Sequence, residues 1–356
     1  DQSALDESYA EFRAQYQERR QVVYVGANDG MIHAFNGGFF DANALSFELS
    51  PSGEGGVTEH PLGAEIWAYV PKNLLPHLQW TARPDYSHVY YMDLPMRVFD
   101  VKIFDDDETH PNGWGTILVA GMRFGGGNDN NGINVDVDAD GDGSNDLKTK
   151  SAYVILDITN PELPPQVIAE ISPPNAQFTT SVPQVVGFGT RSGQSGPNKW
   201  YIAFGSGPTN LNNATYESYG DTLQNANVFV YDLELLLTAT DDETALIRTF
   251  DMPEQDSFIG DIASTDFDID MKDEVLYFGT VGAPVGAEDD PEDVVQGSLY
   301  RIMLNENTDP NSWGDPTKIL ADLNQPFVTQ PAVTIDRRLR RWVVAASGRL
   351  FVNDDK

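Results

Sequence analysis

The chain is 356 residues long and carries 55 Asp and Glu against 22 Lys and Arg, a formal net charge of −33. That balance excludes a non-specific nucleic-acid binder, because neutralising phosphates takes a basic face, and it excludes attachment to an anionic membrane through a polybasic patch. A hydrophobic fraction of 40%, with 11% aromatic residues, is enough for a sizeable core and rules out disorder over the whole length.

There is no Cys, so disulfide staples, thiolate catalysis and thiolate-built zinc or iron–sulfur sites are absent. No run of 18 apolar residues predicts a transmembrane helix. The charged stretch 1–20 does not read as a signal peptide, so an exported protein would be present here as a processed or cut-down piece. The acidity has three readings: a solvated surface, divalent cations held at particular Asp clusters, or steering toward a basic partner.

Residues 4–20 read as one helix, because Leu5, Tyr9, Phe12 and Tyr16 recur at spacings of three and four on one face. A short second helix is expected over 233–238. Strands 22–25 and 31–35 flank Asn28-Asp29-Gly30, a hairpin signal because these residues tolerate positive φ. Residues 65–70 add a third strand, and 37–64 read as a surface excursion.

A repeat of four strands then follows. One copy covers 94–98, 116–121, 152–157 and 166–169; a second covers 182–186, 200–205, 228–232 and 245–248. A third covers 260–263, 275–279, 298–302 and 318–320; a fourth starts at 330–333, 342–346 and 349–352 and lacks its last strand. Sequential four-strand units predict an all-β fold, a β-propeller of about five blades with one N-terminal helix, in preference to a β-sandwich. The expected organisation is a helix over 1–21 packing on a propeller domain over 22–356, with an acidic insertion at 128–150.

The run Val22-Val23-Tyr24-Val25-Gly26-Ala27-Asn28-Asp29-Gly30-Met31-Ile32-His33-Ala34-Phe35 closely resembles the opening of the C-terminal propeller of the PilY family. Further matches are Trp67-Ala68-Tyr69-Val70-Pro71, Gly125-Gly126-Gly127 and Leu156-Asp157-Ile158-Thr159-Asn160-Pro161, in order within about residues 9 to 351. No counterpart of that family's von Willebrand A-type domain falls in the sequence. The resemblance implies a modified, quinoprotein-like propeller of seven blades with a calcium-binding loop. It also implies an exported type IV pilus biogenesis factor and pilus-associated adhesin, in the periplasm in transit and then at the cell surface. Its expected partners are minor pilins and a surface or host ligand, in a role that controls pilus extension and retraction.

Two acid clusters alternate in a way that suits a hard cation. Asp138, Asp140, Asp142 and Asp146 hold positions 1, 3, 5 and 9 of a calcium loop, the Ser144 carbonyl holds 7, and Gly143 at 6 permits the sharp turn. Thr149 stands where an EF-hand has Glu, no flanking helices are predicted, and Asp136 is a candidate for the missing carboxylate. The second cluster, 266–274, matches the place of the family's calcium loop. There Asp266, Asp268 and Asp270 take positions 1, 3 and 5, the Lys272 carbonyl takes 7, and Glu274 takes 9. Met271 stands where Gly is usual, Asp273 competes with Glu274, and the Lys272 side chain brings a cation nearby. Calcium is therefore the expected ion. The runs 105–108 and 288–290 lack alternation and read as solvated loops.

The five His (His33, His60, His77, His88, His110) form no zinc spacing, Gly205-Ser206-Gly207 is no nucleophile elbow, and 121–127 lacks the Lys of a phosphate loop. No enzyme is expected. Two other classes remain open: a quinone-cofactor dehydrogenase propeller, which the 24–35 motif also resembles but whose regular Gly-Trp series is missing, and a metal-free interaction scaffold.

Overall fold

The computed structural model describes residues 5–50, 60–127, 136–137, 141–143, 147–174, 177–196, 198–209, 222, 224–239, 241–282, 284–285, 294–323 and 325–348. The first element is α1 (Glu7–Tyr16), whose N-terminus is capped by Asp6 Oδ1 accepting from the Ser8 N–H at 2.9 Å. Phe12 is buried, and Tyr9 and Phe12 pack on the Trp114 ring at 4.7 and 6.3 Å. The helix is shorter than the apolar spacing predicts. Beyond Tyr16 the chain is turned by two anchored guanidiniums: Arg20 donates to Glu162 Oε1 at 2.7 Å and Asn36 Oδ1 at 2.8 Å, and Arg19 donates to Thr116 Oγ1 at 2.9 Å.

The first sheet contains β1 (Gln21–Gly26), β2 (Ile32–Asp41), β3 (Ser46–Glu48) and β4 (Glu65–Tyr69), with β2 pairing to the other three. The β1–β2 turn follows the Asn-Asp-Gly expectation, with Gly30 at φ 98°. The stretch after Phe35 is not wholly a surface excursion. Strand β2 continues through Gly38 (φ 81°) to Asp41 and folds back as β3, closed by Phe40 against Phe47 at 5.3 Å.

Three four-stranded antiparallel sheets follow, each running in simple succession. The second contains β5 (Arg97–Lys102) and β6 (Trp114–Gly121), then a short ribbon of β7 (Asp136–Val137) and β8 (Leu147–Lys148), then β9 (Tyr153–Asp157) and β10 (Gln166–Ile171). The third is β11 (Gln184–Phe188), β12 (Lys199–Gly205), β13 (Asn227–Asp232) and β14 (Leu246–Asp251). Helix α2 (Leu233–Leu236), capped by Asp232, lies between its last two strands. The fourth is β15 (Ser257–Thr265), β16 (Val275–Gly282), the ribbon β17 (Pro284–Val285) with β18 (Val294–Val295), β19 (Gly297–Met303) and β20 (Thr317–Leu323). A hairpin, β21 (Ala332–Ile335) with β22 (Arg341–Val344), begins a fifth unit. The strand expected at 349–352 lies outside the described residues. The described residues form no closed barrel.

The second strand of each later sheet is apolar on both faces because both faces are covered. In β6, Leu118 and Ala120 join a core with Ile32, Trp67 and Tyr69 of the first sheet, while Ile117 and Val119 join one with Ile202 and Phe204 of the third. In β12 the alternate residues Tyr201 and Ala203 pack with Ile262, Leu276 and Phe278 of the fourth. In β16, Val275 and Tyr277 turn to Val333 and Val343 of the hairpin. Each sheet thus stacks on the next in chain order. Glycine ends β12 and interrupts β16 because the following unit arrives at contact distance: a Cβ on Gly205 would lie 2.1 Å from the Ile259 Cβ, and one on Gly279 2.2 Å from the Phe327 Cβ.

The 3₁₀ stretch Lys72–Ala82, with Pro76 inside it, had no sequence signal. It is held from outside by Glu170, which accepts from the Lys72 N–H at 2.6 Å and from Tyr69 Oη at 2.8 Å.

Phe204 is fully buried between the second and third sheets, 4.4 Å from the Tyr153 ring and 5.3 Å from Tyr231. Phe204→Ala is expected to cost about 3–5 kcal/mol in a denaturant titration. A cost below about 1 kcal/mol would mean that these sheets do not share a packed layer.

Candidate metal centre

The loop between β15 and β16 gathers Asp266, Asp268, Asp270 and Glu274 so that one carboxylate oxygen of each lies within 4.8 Å of the others. Asp268 is exposed and the other three are half-buried. The turn is made by Asp266 itself: Oδ1 accepts from the Asp270 N–H at 3.1 Å, and Oδ2 accepts from the Met271 N–H at 2.8 Å. Glu274 Oε2 closes the far side by accepting from the Phe267 N–H at 2.5 Å. Met271, at the position where Gly is usual, adopts the left-handed φ of 76° that a glycine would supply, and Ile269 sits at 58°.

Asp273 does not join the cluster. Its Oδ2 accepts from the Gly187 N–H at 2.8 Å, and its own N–H donates to the Gly187 carbonyl at 3.0 Å. Burial pushes its carboxyl pKa up to about 7, against the pull of the Gly187 N–H. Burial, with the negative charges of Asp266, Asp268 and Asp270 around it, also raises the Glu274 carboxyl. The Lys272 ammonium lies 2.8 Å from Asp270 Oδ2 and 3.5 Å from Glu306 Oε2, and the hydrogen bond to Asp270 raises its pKa. Four converging hard oxygen donors suit a hard dication, and an ammonium already drawn to one of them marks the spot as attractive to positive charge. Asp266, Asp268, Asp270 and Glu274 are the residues that could hold a metal ion here.

The first loop is described only in part. Strands β7 and β8 pair Asp136 with Lys148 and Val137 with Leu147. Gly143 and Gly141 have φ of 89° and 79°, and Asp142 is exposed. Asp138, Asp140, Ser144 and Asp146 lie outside the described residues, as does the run 288–290.

Two histidines are each held between two carboxylates. His33 Nδ1 is 2.6 Å from Glu65 Oε1 and Nε2 is 3.0 Å from Asp29 Oδ2. His110 Nδ1 is 3.1 Å from Asp107 Oδ1 and Nε2 is 3.0 Å from Asp157 Oδ2. Burial opposes the charge on both rings, yet the carboxylate partners win and raise both pKa values above the ordinary imidazole range. His77 is the opposite case: fully buried, with Nε2 2.9 Å from Thr149 Oγ1, it is brought down to about 4 by burial. These three side chains lie in different sheets and connections and form no joint site.

A stack of four-stranded antiparallel sheets in chain order, with an aspartate loop between two strands of the fourth, is a mostly β domain of repeated sheets with a candidate cation loop. No family model matches the chain. Two type IV pilus biogenesis factor PilY1 homologues of Xylella fastidiosa (strain Temecula1 / ATCC 700964) are similar to it. One is 35% identical over 122 residues, 33% of this chain and 7% of the relative; the other is 32% identical over 104 residues, 29% of this chain and 5% of the relative. The crystal structure of the Pseudomonas aeruginosa PilY1 C-terminal domain shares the fold with a TM-score of 0.56 at 17% identity, covering 98% of this chain and 56% of that one. Over about a third of its length the chain is thus similar in sequence to PilY1 homologues, and over 98% of it similar in fold to a PilY1 C-terminal domain. The chain spans only a small part of the length of the curated relatives it matches.

Two predictions follow from this geometry. Lys272→Met removes a competing cation from Asp270 and should tighten the loop's affinity for a divalent cation about fivefold, the worth of a surface ion pair of roughly 1 kcal/mol; weaker binding on calorimetry would contradict the assignment of Lys272 as a competitor. Because the folded pKa values of His33 and His110 are raised, their contribution to stability is complete below the unfolded imidazole value and is lost as pH rises through the folded values. The melting temperature of His33→Asn should therefore fall furthest below the parent at acidic pH and converge with it at alkaline pH; a constant difference would rule the clamp out.

Proposed function

We propose that this chain is the calcium-binding module of an exported type IV pilus biogenesis factor. In this reading it works with the pilus machinery at the cell surface, with minor pilins and a surface ligand as partners, and serves extension, retraction and attachment. Its sheets are blades of a propeller. Its role is assembly and binding, and no enzymatic reaction is assigned to it. The pilus part rests on the similarity to PilY1 homologues, and the metal part on one observation, the convergence of Asp266, Asp268, Asp270 and Glu274 within 4.8 Å.

A bound dication would neutralise the mutual repulsion of these carboxylates and hold the loop against the strain at Ile269 and Met271. Among the described residues no helix is long and apolar enough to cross a membrane.

Calcium should raise the melting temperature by mass action, by about 2.7 kcal/mol of stability at a hundredfold excess over Kd. Asp268→Ala or Asp270→Ala should remove the gain that belongs to the second loop, and Asp138→Ala or Asp142→Ala the gain that belongs to the first. A melting temperature indifferent to chelator, with no heat of binding on calorimetry, would overturn the metal reading. The pilus reading predicts that a host strain lacking this domain shows fewer surface pili; unchanged piliation would contradict it.

A further inference from the structure

The loop 266–274 is joined to a distant part of the chain by hydrogen bonds at both ends of the segment 187–192. Beside the Asp273–Gly187 pair, residues Lys272 and Phe188 form a β-bridge, so the loop continues the edge of the third sheet at the end of β11. The Met271 carbonyl accepts from the Gly189 N–H at 2.7 Å, and the Ile269 carbonyl accepts from Arg191 Nη2 at 2.7 Å. Both carbonyls belong to the two residues held at positive φ. One residue further on, the Ser192 N–H donates to the Leu5 carbonyl at 2.9 Å, and Ser192 Oγ accepts from the Glu7 N–H at 2.6 Å. Glu7 is the first residue of α1, and its N–H is one of the orphan donors of a helix start. The contacts span 82 residues from Met271 to Gly189 and 185 from Ser192 to Glu7, so no local chain geometry enforces them.

We propose that loop 266–274 and the first turn of α1 are a single coupled unit, with 187–192 as the relay, so that the state of the loop sets how firmly the helix start is seated. Asp266 fixes the Asp270 amide, whose peptide carries the Ile269 carbonyl, and Asp270 in turn fixes the Lys272 amide, whose peptide carries the Met271 carbonyl, so both carbonyls are aimed at the relay. When the loop opens, Gly189 and Arg191 lose their acceptors, Ser192 loses its position, and the Glu7 amide returns to solvent. The aromatic anchors Tyr9, Phe12 and Tyr16 keep the rest of the helix docked, so the effect is confined to its start. On the proposed metal reading, a cation in the loop becomes an effector of the α1 start.

Hydrogen exchange on the whole chain tests this. In calcium-free buffer, Asp266→Ala should speed exchange at the Glu7 to Ala10 amides about tenfold while amides of β12 stay unchanged. Because coupling is reciprocal, Ser192→Ala should speed exchange at the Asp270 and Met271 amides in turn. Faster loop exchange in Asp266→Ala with an unchanged α1 start, or an unaltered loop in Ser192→Ala, would overturn the proposal. Saturating calcium, with calorimetry on the same sample, separates it from the metal reading. Heat of binding with no slowing at Glu7 to Ala10 would refute the coupling alone. Absence of heat, with both variants behaving as expected, would leave the coupling standing and remove the cation as its effector.

Discussion

A four-stranded sheet whose inner strands are apolar on both faces cannot stand alone in water, and this constraint organises the molecule. Ile117 and Leu118 of β6 point to opposite faces, and both are fully buried, as are Leu276 and Phe278 beside Val275 in β16. The second, third and fourth sheets are therefore each held by neighbours on either side, and the order of sheets in space follows the order in the chain. The apolar layers are dense in aromatic rings, with Trp114 against Trp200 and Phe278 stacked on Tyr300. Rings of that size give each layer a large area per residue, which short strands of five to eight residues need.

With the interior given over to apolar layers, the acidic residues collect at turns. Some are used there as hydrogen-bond acceptors that shape the backbone: Asp232 caps α2, Asp157 holds the Thr159 N–H at 2.9 Å, and Asp107 holds those of Thr109 and His110 at 2.8 and 2.7 Å. Loop 266–274 differs because its carboxylates also converge on one another. The same Asp residues that make the turn leave oxygens facing a common point, at an electrostatic cost that an added positive charge would relieve.

Strand existence was readable because buried inner strands are continuous runs such as Thr116–Gly121 and Trp200–Gly205, bounded by Gly, Pro or Asp. The β1–β2 turn was readable from Asn-Asp-Gly for the same local reason. What escaped the sequence was set at a distance. The early end of α1 depends on Arg19 and Arg20 reaching Thr116, Asn36 and Glu162, and the segment Lys72–Ala82 depends on Glu170. At the candidate site, alternation picked out Asp266, Asp268, Asp270 and Glu274, while the separation of Asp273 from them was not legible, because it turns on Gly187 some 86 residues earlier. The positive φ at Met271 likewise breaks the residue preference that local reasoning relies on.

The account stands most directly on whether this chain takes up a divalent ion at the loop before β16. Native mass spectrometry after equilibration with calcium and buffer exchange weighs that question ion by ion. The account predicts bound calcium on the parent chain and one ion fewer on an Asp268→Ala, Asp270→Ala double variant of unchanged fold. A parent chain that carries no calcium, or a double variant that carries as much as the parent, would contradict it.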